Sequence, residues 1–369
     1  MRKIFLPLCC IIICTFSNAQ LITLPDGGNK KAWVGERVGI TDITIEYSRP
    51  AVKGREGKIW GELVHAGYSD LGFGTSKAAP WRAGANENTT ISFSTDVKIE
   101  GQPIKAGKYG FFIAWDAAEP TLILSKNASS WGSYFYSDKE DVLRVKTKTT
   151  MLDKSVEWLR YSFLNQTENT AIIALEWEKT AIPFKVEVDF VNTQLASFRN
   201  ELRGDRSFSL GWQPYQQAAQ FTIDRNTNLE EGLQWADLAI TAPFAGQANF
   251  VTLSTKAGVL SKLGRVTEAD SFMKKALPMG NMQEVHAYGR QLLQQKKSKE
   301  ALEVFLLNYK KNPSQFTTLM GLTRGYSANA DFKNAIKHAN MALALAPNEP
   351  NKKFVADAIE KLKKGQDIN

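Results

Sequence analysis

From about residue 21 to residue 191, apolar and polar side chains alternate with a period of two. Ile43, Ile45 and Tyr47 fall on one face of an extended segment, and Ile91, Phe93, Thr95, Val97 and Ile99 fall on another. Successive strand side chains point to opposite faces, so the alternation predicts strands that each bury one face. Glu100-Gly101 and Ala106-Gly107 supply tight turns before Tyr109, Phe111, Ile113 and Trp115. The series continues through residues 122–124, 143–145, 158–164 and 172–177, and then through Phe184, Val186, Val188 and Phe190. Polar residues 165–169 predict a hairpin loop. Eight to nine short strands with no long helix between them predict an antiparallel β-sandwich or jelly-roll-like domain rather than a parallel sheet.

Beyond Asn192 the apolar spacing becomes that of amphipathic helices. Ala269, Met273 and Ala276 recur as Ala301, Phe305 and Asn308, then as Ala335, Ala339 and Ala342, at offsets of 32 and 34 residues; Pro313 and Pro347 are also 34 apart. This pattern resembles a tetratricopeptide repeat array, whose helix-turn-helix unit places small residues where paired helices touch. Leu253, Ala257, Leu260, Gly264 and Ala269 match the first clear unit, Gly289, Leu292 and Ala301 the second, and Leu319, Tyr326 and Ala335 the third. An earlier unit, residues 212–243, has Gly232 in place of the usual alanine, and Asn308 and Thr323 also depart from the pattern. Single repeats cannot bury a face alone, so three to four units with a capping helix over residues 351–364 predict a small α-solenoid. The rival arrangement is a plain helical bundle; offset, small residues and prolines together favour repeats.

In the β half, the segment Pro80-Trp81-Arg82-Ala83-Gly84-Ala85-Asn86-Glu87-Asn88-Thr89-Thr90 resembles the hallmark of the family called domain of unknown function 2911. Ser48-Arg49-Pro50 with Lys53-Gly54-Arg55, Ala106-Gly107-Lys108-Tyr109-Gly110, Trp131-Gly132-Ser133-Tyr134 and Asp141-Val142-Leu143-Arg144-Val145 extend the likeness over about residues 22–190. The resemblance implies an all-β secreted domain of bacterial envelope proteins with no established activity. The Gly-rich stretch 65–79 is longer here than in many relatives.

Trp81, Arg82, Asn86 and Glu87 form the densest polar and aromatic combination of that half. Trp offers a flat apolar face, Arg a forked donor, and Asn and Glu orienting groups, which together suit a ligand pocket for a carboxylate or sugar hydroxyls. The rival expectation is an Arg82–Glu87 pair anchoring the loop, with Gly84 making a tight turn. Seven tryptophans between Trp33 and Trp177 suggest carbohydrate stacking, although most sit at alternate strand positions and are expected in the core. A glycan-processing role would use Glu87 as one of two carboxylates.

Charge divides the chain. Residues 20–191 carry 21 basic and 22 acidic side chains, net −1, whereas residues 192–369 carry 23 and 16, net +7, so the excess positive charge belongs to the helical half. No long like-charge block points to nucleic acid. If Lys256, Lys262, Arg290, Lys296 and Lys297 project into the repeat groove, an acidic protein partner is favoured; lysines on solenoid helices otherwise serve as solvated surface. No zinc-protease His pair, nucleophile elbow or nucleotide fingerprint occurs, so no catalytic residue, metal or cofactor is expected.

The amino terminus sets the compartment. Arg2 and Lys3 precede an apolar run over residues 4–16, then Ser17-Asn18-Ala19-Gln20, a signal peptide with cleavage after Ala19. The run rises about 20 Å as a helix, too short for a hydrocarbon core of about 30 Å, and no later transmembrane segment follows. Cys14 follows Ile13 where a lipoprotein needs a small residue, and all three cysteines precede the cleavage point. The expected organisation is therefore a signal peptide (1–19), an all-β domain (20–191) and a repeat domain (192–369), periplasmic or extracellular. The function expected is a non-catalytic binding or scaffold protein; a carbohydrate-binding envelope protein and a purely structural one are the alternatives.

Overall fold

The computed structural model describes residues 28–207 and 211–369, and the expected signal peptide with its cysteines lies outside them. The chain divides into two compact units after Gln194.

The first unit is an antiparallel β-sandwich. Strands β1 (Lys30–Val38), β2 (Thr41–Arg49), β3 (Thr89–Phe93), β6 (Gly107–Ala114), β7 (Thr121–Ser125) and β8 (Asp141–Lys146) form a six-stranded sheet in that order. The second sheet runs β5 (Gln102–Ile104), β4 (Val97–Ile99), β10 (Thr170–Val188) and β9 (Thr150–Leu164). Alternation puts Ile43 and Ile45 of β2, Ile91 of β3 and Phe111 and Ile113 of β6 into one core with Tyr161 of β9 and Ile173, Leu175, Trp177, Phe184 and Val186 of β10. Phe111 reaches across to Phe184, ring centroids 5.5 Å apart, and Tyr47 meets Tyr161 edge-on at 4.8 Å. Glu100 and Gly101, both at positive φ, close the β4–β5 hairpin as expected. The loop over residues 165–169 joins β9 to β10, its Thr167 and Thr170 hydroxyls bonded at 2.8 Å.

Three details differ from the alternation. The segments 172–177 and 184–188 are not two strands but parts of β10, because β9 and β4 pair with successive stretches of it. β1, too polar to stand out, is held by a full register against β2. Phe190 is not on a strand; it begins helix α1 (Phe190–Glu201), packed on the sandwich core.

In the second unit a four-residue helix α2 (Gly204–Ser207) precedes antiparallel pairs: α3 (Gln213–Arg225) with α4 (Leu229–Thr241), α5 (Phe250–Lys262) with α6 (Val266–Ala276), α7 (Met282–Gln294) with α8 (Ser298–Lys311), and α9 (Phe316–Ala328) with α10 (Phe332–Ala344). Helix α11 (Glu349–Lys363) buries Val355, Ile359 and Leu362 against the last pair. Asn249 and Asn281 begin α5 and α7 with reciprocal capping boxes, satisfying backbone donors that the first turn leaves free. The alanines at 32- and 34-residue offsets are all buried, at the contacts within each pair.

The departures from the repeat pattern have physical reasons. Asn308 is buried and donates through Nδ2 to the Met282 carbonyl at 2.8 Å, tying α8 to the start of α7. Thr323 returns its hydroxyl to the Leu319 carbonyl at 2.8 Å. A Cβ at Gly232 would run into the Thr222 side chain. Phe305 of α8 is fully buried in a socket where added methyls at Gly289 and Gly321 would stand 2.5 and 2.7 Å from its ring. Overfilling this socket costs about 1–3 kcal/mol, and emptying it about 3–5 kcal/mol. Gly289→Ala and Phe305→Ala should therefore both lower the thermal midpoint of the helical circular-dichroism signal, the second by more.

Candidate functional site

The loop over residues 80–88 runs beside Ile113 near the end of β6 and leads into β3. Trp81 exchanges two backbone hydrogen bonds with Ile113, at 2.9 and 2.8 Å, which turns its side chain into the core. The indole is 8% exposed and donates to the Gly84 carbonyl at 3.2 Å. It belongs to a cluster of four tryptophans: the Trp60 ring lies 4.3 Å from Trp115, 5.6 Å from Trp81 and 6.0 Å from Trp177, and Trp81 stacks on Trp177 at 6.2 Å. A ring so enclosed offers no open face to a pyranose.

Arg82 donates from Nη1 to the Asn86 carbonyl at 3.0 Å and lies 5.2 Å over the Tyr134 ring. The expected Arg82–Glu87 pair does not form. Ala83 and Asn86 take left-handed backbone conformations that fold Arg82 back on its own loop, while Glu87 turns to Lys31 at 3.3 Å and to the Ser48 hydroxyl at 3.2 Å. Gly84 has no positive φ; it is small because a Cβ would meet the Thr89 hydroxyl at 2.8 Å and the Ser48 carbonyl at 3.1 Å. Burial pushes the Glu87 carboxyl up, but its own backbone N–H, Lys31 and Ser48 outweigh this and hold it below the ordinary range. A carboxyl so lowered is ionised at neutral pH and unsuited to protonating a leaving oxygen. Trp81, Arg82 and Asn86 do border one cavity, of about 320 Å³, shared with Arg55 and Trp177; Glu87 is not in its wall.

In the helical unit the five basic residues singled out by sequence do not converge. Lys256 is bound by Asp237 of α4 and lies 4.1 Å from the Phe272 ring centroid of α6. The reason is the shorter first offset: Ala269 to Ala301 is 32 residues, so the counterpart of Arg290 is Gly258, and Lys256 aligns with Tyr288. Lys262, Lys296 and Lys297 are exposed, Lys297 at the rim of a cavity of about 280 Å³ lined also by Ser254, Gly258, Ser261 and Gln291.

Arg290 on α7 instead has its equivalent in Arg324 on α9, 34 residues on. Burial first, and Arg290 second, hold the Arg324 guanidinium below its usual range. Arg324 lies 5.4 Å over the Phe354 ring and reaches the Asn369 side chain at 3.5 Å. Among the described residues neither arginine makes an ion pair. His286, one turn before Arg290, is half-buried against Phe305, its Nδ1 without a partner. Burial, then Arg290 and Arg324, push its pKa down to about 4. Sequence reading missed Arg324 and His286, and the 34-residue offset from Arg290 was the available signal for the former.

Two measurements follow from this geometry. Trp81→Ala should cost the β unit about 3–5 kcal/mol, read as a lowered unfolding midpoint, because it empties a core site. His286 is neutral in folded and unfolded chains above its ordinary pKa of 6.5; between 6.5 and about 4 only the unfolded chain takes the proton. Stability of the helical unit should therefore fall as pH drops through that window and level off below it. His286→Phe should remove this component in denaturant titrations at pH 7, 5.5 and 4.

Residues 29–186 match the family model described as a protein of unknown function (DUF2911). No curated protein matches the chain. Among solved structures, MamA from Desulfovibrio magneticus RS-1 is similar over 42% of this chain and 93% of its own, with 19% identity and a TM-score of 0.28. YrrB, titled a TPR protein with an unusual peptide-binding site, is similar over 45% of this chain and 84% of its own, with 17% identity and a TM-score of 0.31. With its motifs in place from Ser48 to Val145 on the strands and loops of the sandwich, the β unit is similar to the DUF2911 family over residues 29–186.

Proposed function

We propose that this protein is an exported, non-catalytic binding protein whose helical repeats hold an acidic segment of a protein partner across Arg290 and Arg324. The observation that carries the reading is the pairing of two guanidiniums at the same position of successive repeats, neither of them in ion-pair contact with a carboxylate among the described residues, Asp367 offsetting the charge on Arg324 only in part. Like charges this close are costly unless an anion joins them, so a partner's carboxylates gain from both at once. The excess of 23 basic over 16 acidic residues in residues 192–369 gives the long-range attraction the same sign. Export rests on the segment Arg2–Lys3, the apolar run over residues 4–16 and Ser17-Asn18-Ala19; among the described residues no helix is long and apolar enough to cross a membrane.

The test uses the chain from residue 20 to 369 and a fluorescein-labelled, Glu-rich peptide, with its Gln counterpart as control. Binding should weaken with rising salt, and the Arg290→Glu/Arg324→Glu double variant should lose about tenfold or more in affinity. Lys256→Ala should leave affinity unchanged, since Lys256 is already taken by Asp237. Equal binding of the Glu and Gln peptides, or of wild type and double variant, would sink the proposal. Sequencing the exported protein's amino terminus should find Gln20 first.

A further inference from the structure

The cavity beside Trp81 has an unusual balance of polar groups. Its wall contains two guanidiniums, Arg55 and Arg82, and no Asp or Glu. Arg55 spends Nε and Nη2 on the Val52 and Ala51 carbonyls, at 2.9 and 2.6 Å, and leaves Nη1 unused. Asn86 Nδ2 and Trp177 Nε1, both from wall residues, are buried N–H donors without an acceptor, and so is Nε1 of Trp60, packed against Trp81 and Trp177. Buried donors are ordinarily paired, and an orphan costs about 1–3 kcal/mol. Two orphan donors from wall residues, gathered with two cations around one cavity, point to a missing partner that accepts hydrogen bonds and carries negative charge. The wall is completed by Asn29, Pro50, Gly84 and Ala85, with Leu63 and Val64 as its aliphatic side chains, and its open surface is more polar than apolar. A volume of about 320 Å³ holds a small organic molecule rather than a polymer.

We infer that this cavity of the β unit is a binding site for a small carboxylate, the head group facing Arg55, Arg82 and Asn86 and the rest of the molecule directed to Leu63 at the rim. A planar carboxylate matches the forked geometry of guanidinium donors, and the exposed Leu63 offers an apolar side chain to the remainder. The site is independent of the repeats and holds whether or not they bind an acidic segment.

The chain from residue 20 to 369 would be titrated with acetate, benzoate and 3-phenylpropionate, each against its neutral amide, by calorimetry and by tryptophan fluorescence. At least one acid should saturate at one site per chain and bind about tenfold or more tightly than its amide. Arg82→Gln should weaken the acid and leave the amide unchanged. Because Arg82 also holds its loop, a second variant is needed: Leu63, 49% exposed at the rim, makes no hydrogen bond through its side chain, and Leu63→Trp should fold normally and abolish binding. Amides that bind as well as acids, an unaffected Leu63→Trp variant, or no saturation by any acid up to about 10 mM, which would leave water as the occupant, each overturn the inference.

Discussion

The β unit depends on one strand that serves two partners. Over its 19 residues β10 pairs first with β9 and then with β4, and its inward side chains run from Ile173 to Val186 through the centre of the core. The ladder to β9 breaks around Glu178, where β9 carries extra residues and turns to the segment following β2: Val52 bonds to the Glu157 carbonyl at 2.8 Å and Leu159 to the Pro50 carbonyl at 3.0 Å. Glu178, at positive φ, accepts the Gly57 N–H at 2.6 Å. This irregularity places Trp177 against Trp60 and Trp81, so the tryptophan cluster and the cavity beside it are consequences of where the ladder is interrupted.

The helical unit solves a different problem, since each hairpin alone buries too little apolar surface to be stable. Small residues let helices approach, and one large ring, Phe305, fills the space that Gly289 and Gly321 leave. Polar groups caught inside are satisfied locally: Asn308 bonds across to the Met282 carbonyl, Thr318 to the Asn312 carbonyl at 2.9 Å, and Thr323 within its own helix. Arg290 and Arg324 fall at equivalent places because α7 and α9 repeat at the 34-residue offset.

Fold class was readable because both periods are enforced by burial: Ile43, Ile45 and Phe111 alternate into the sandwich, and Ala269, Ala301 and Ala335 repeat at the helix contacts. Strand β1 and the unity of β10 were not readable, since β1 is mostly exposed and the length of β10 is set by its neighbours. The loop holding Trp81 was legible as a dense motif, yet its wiring was not. Whether Arg82 meets Glu87 or Asn86 depends on two left-handed residues, Ala83 and Asn86, that no charge pattern reveals. Among the basic residues, the two-residue difference between the 32- and 34-residue offsets puts Lys256 out of phase with Arg290, so that Gly258 is the counterpart.

That same two-residue difference has a further consequence. Where α7 and α9 carry Arg290 and Arg324, α5 carries Gly258, so cationic character along the series begins abruptly instead of rising evenly. A uniform stripe of arginines attracts a polyanion without orienting it. A step from glycine to guanidiniums would give the array a head and a tail: on the proposed reading, a chain with acid at one end and neutral residues at the other would gain more free energy in one polarity than in the reverse. Two omitted residues thereby give direction to an otherwise repetitive surface.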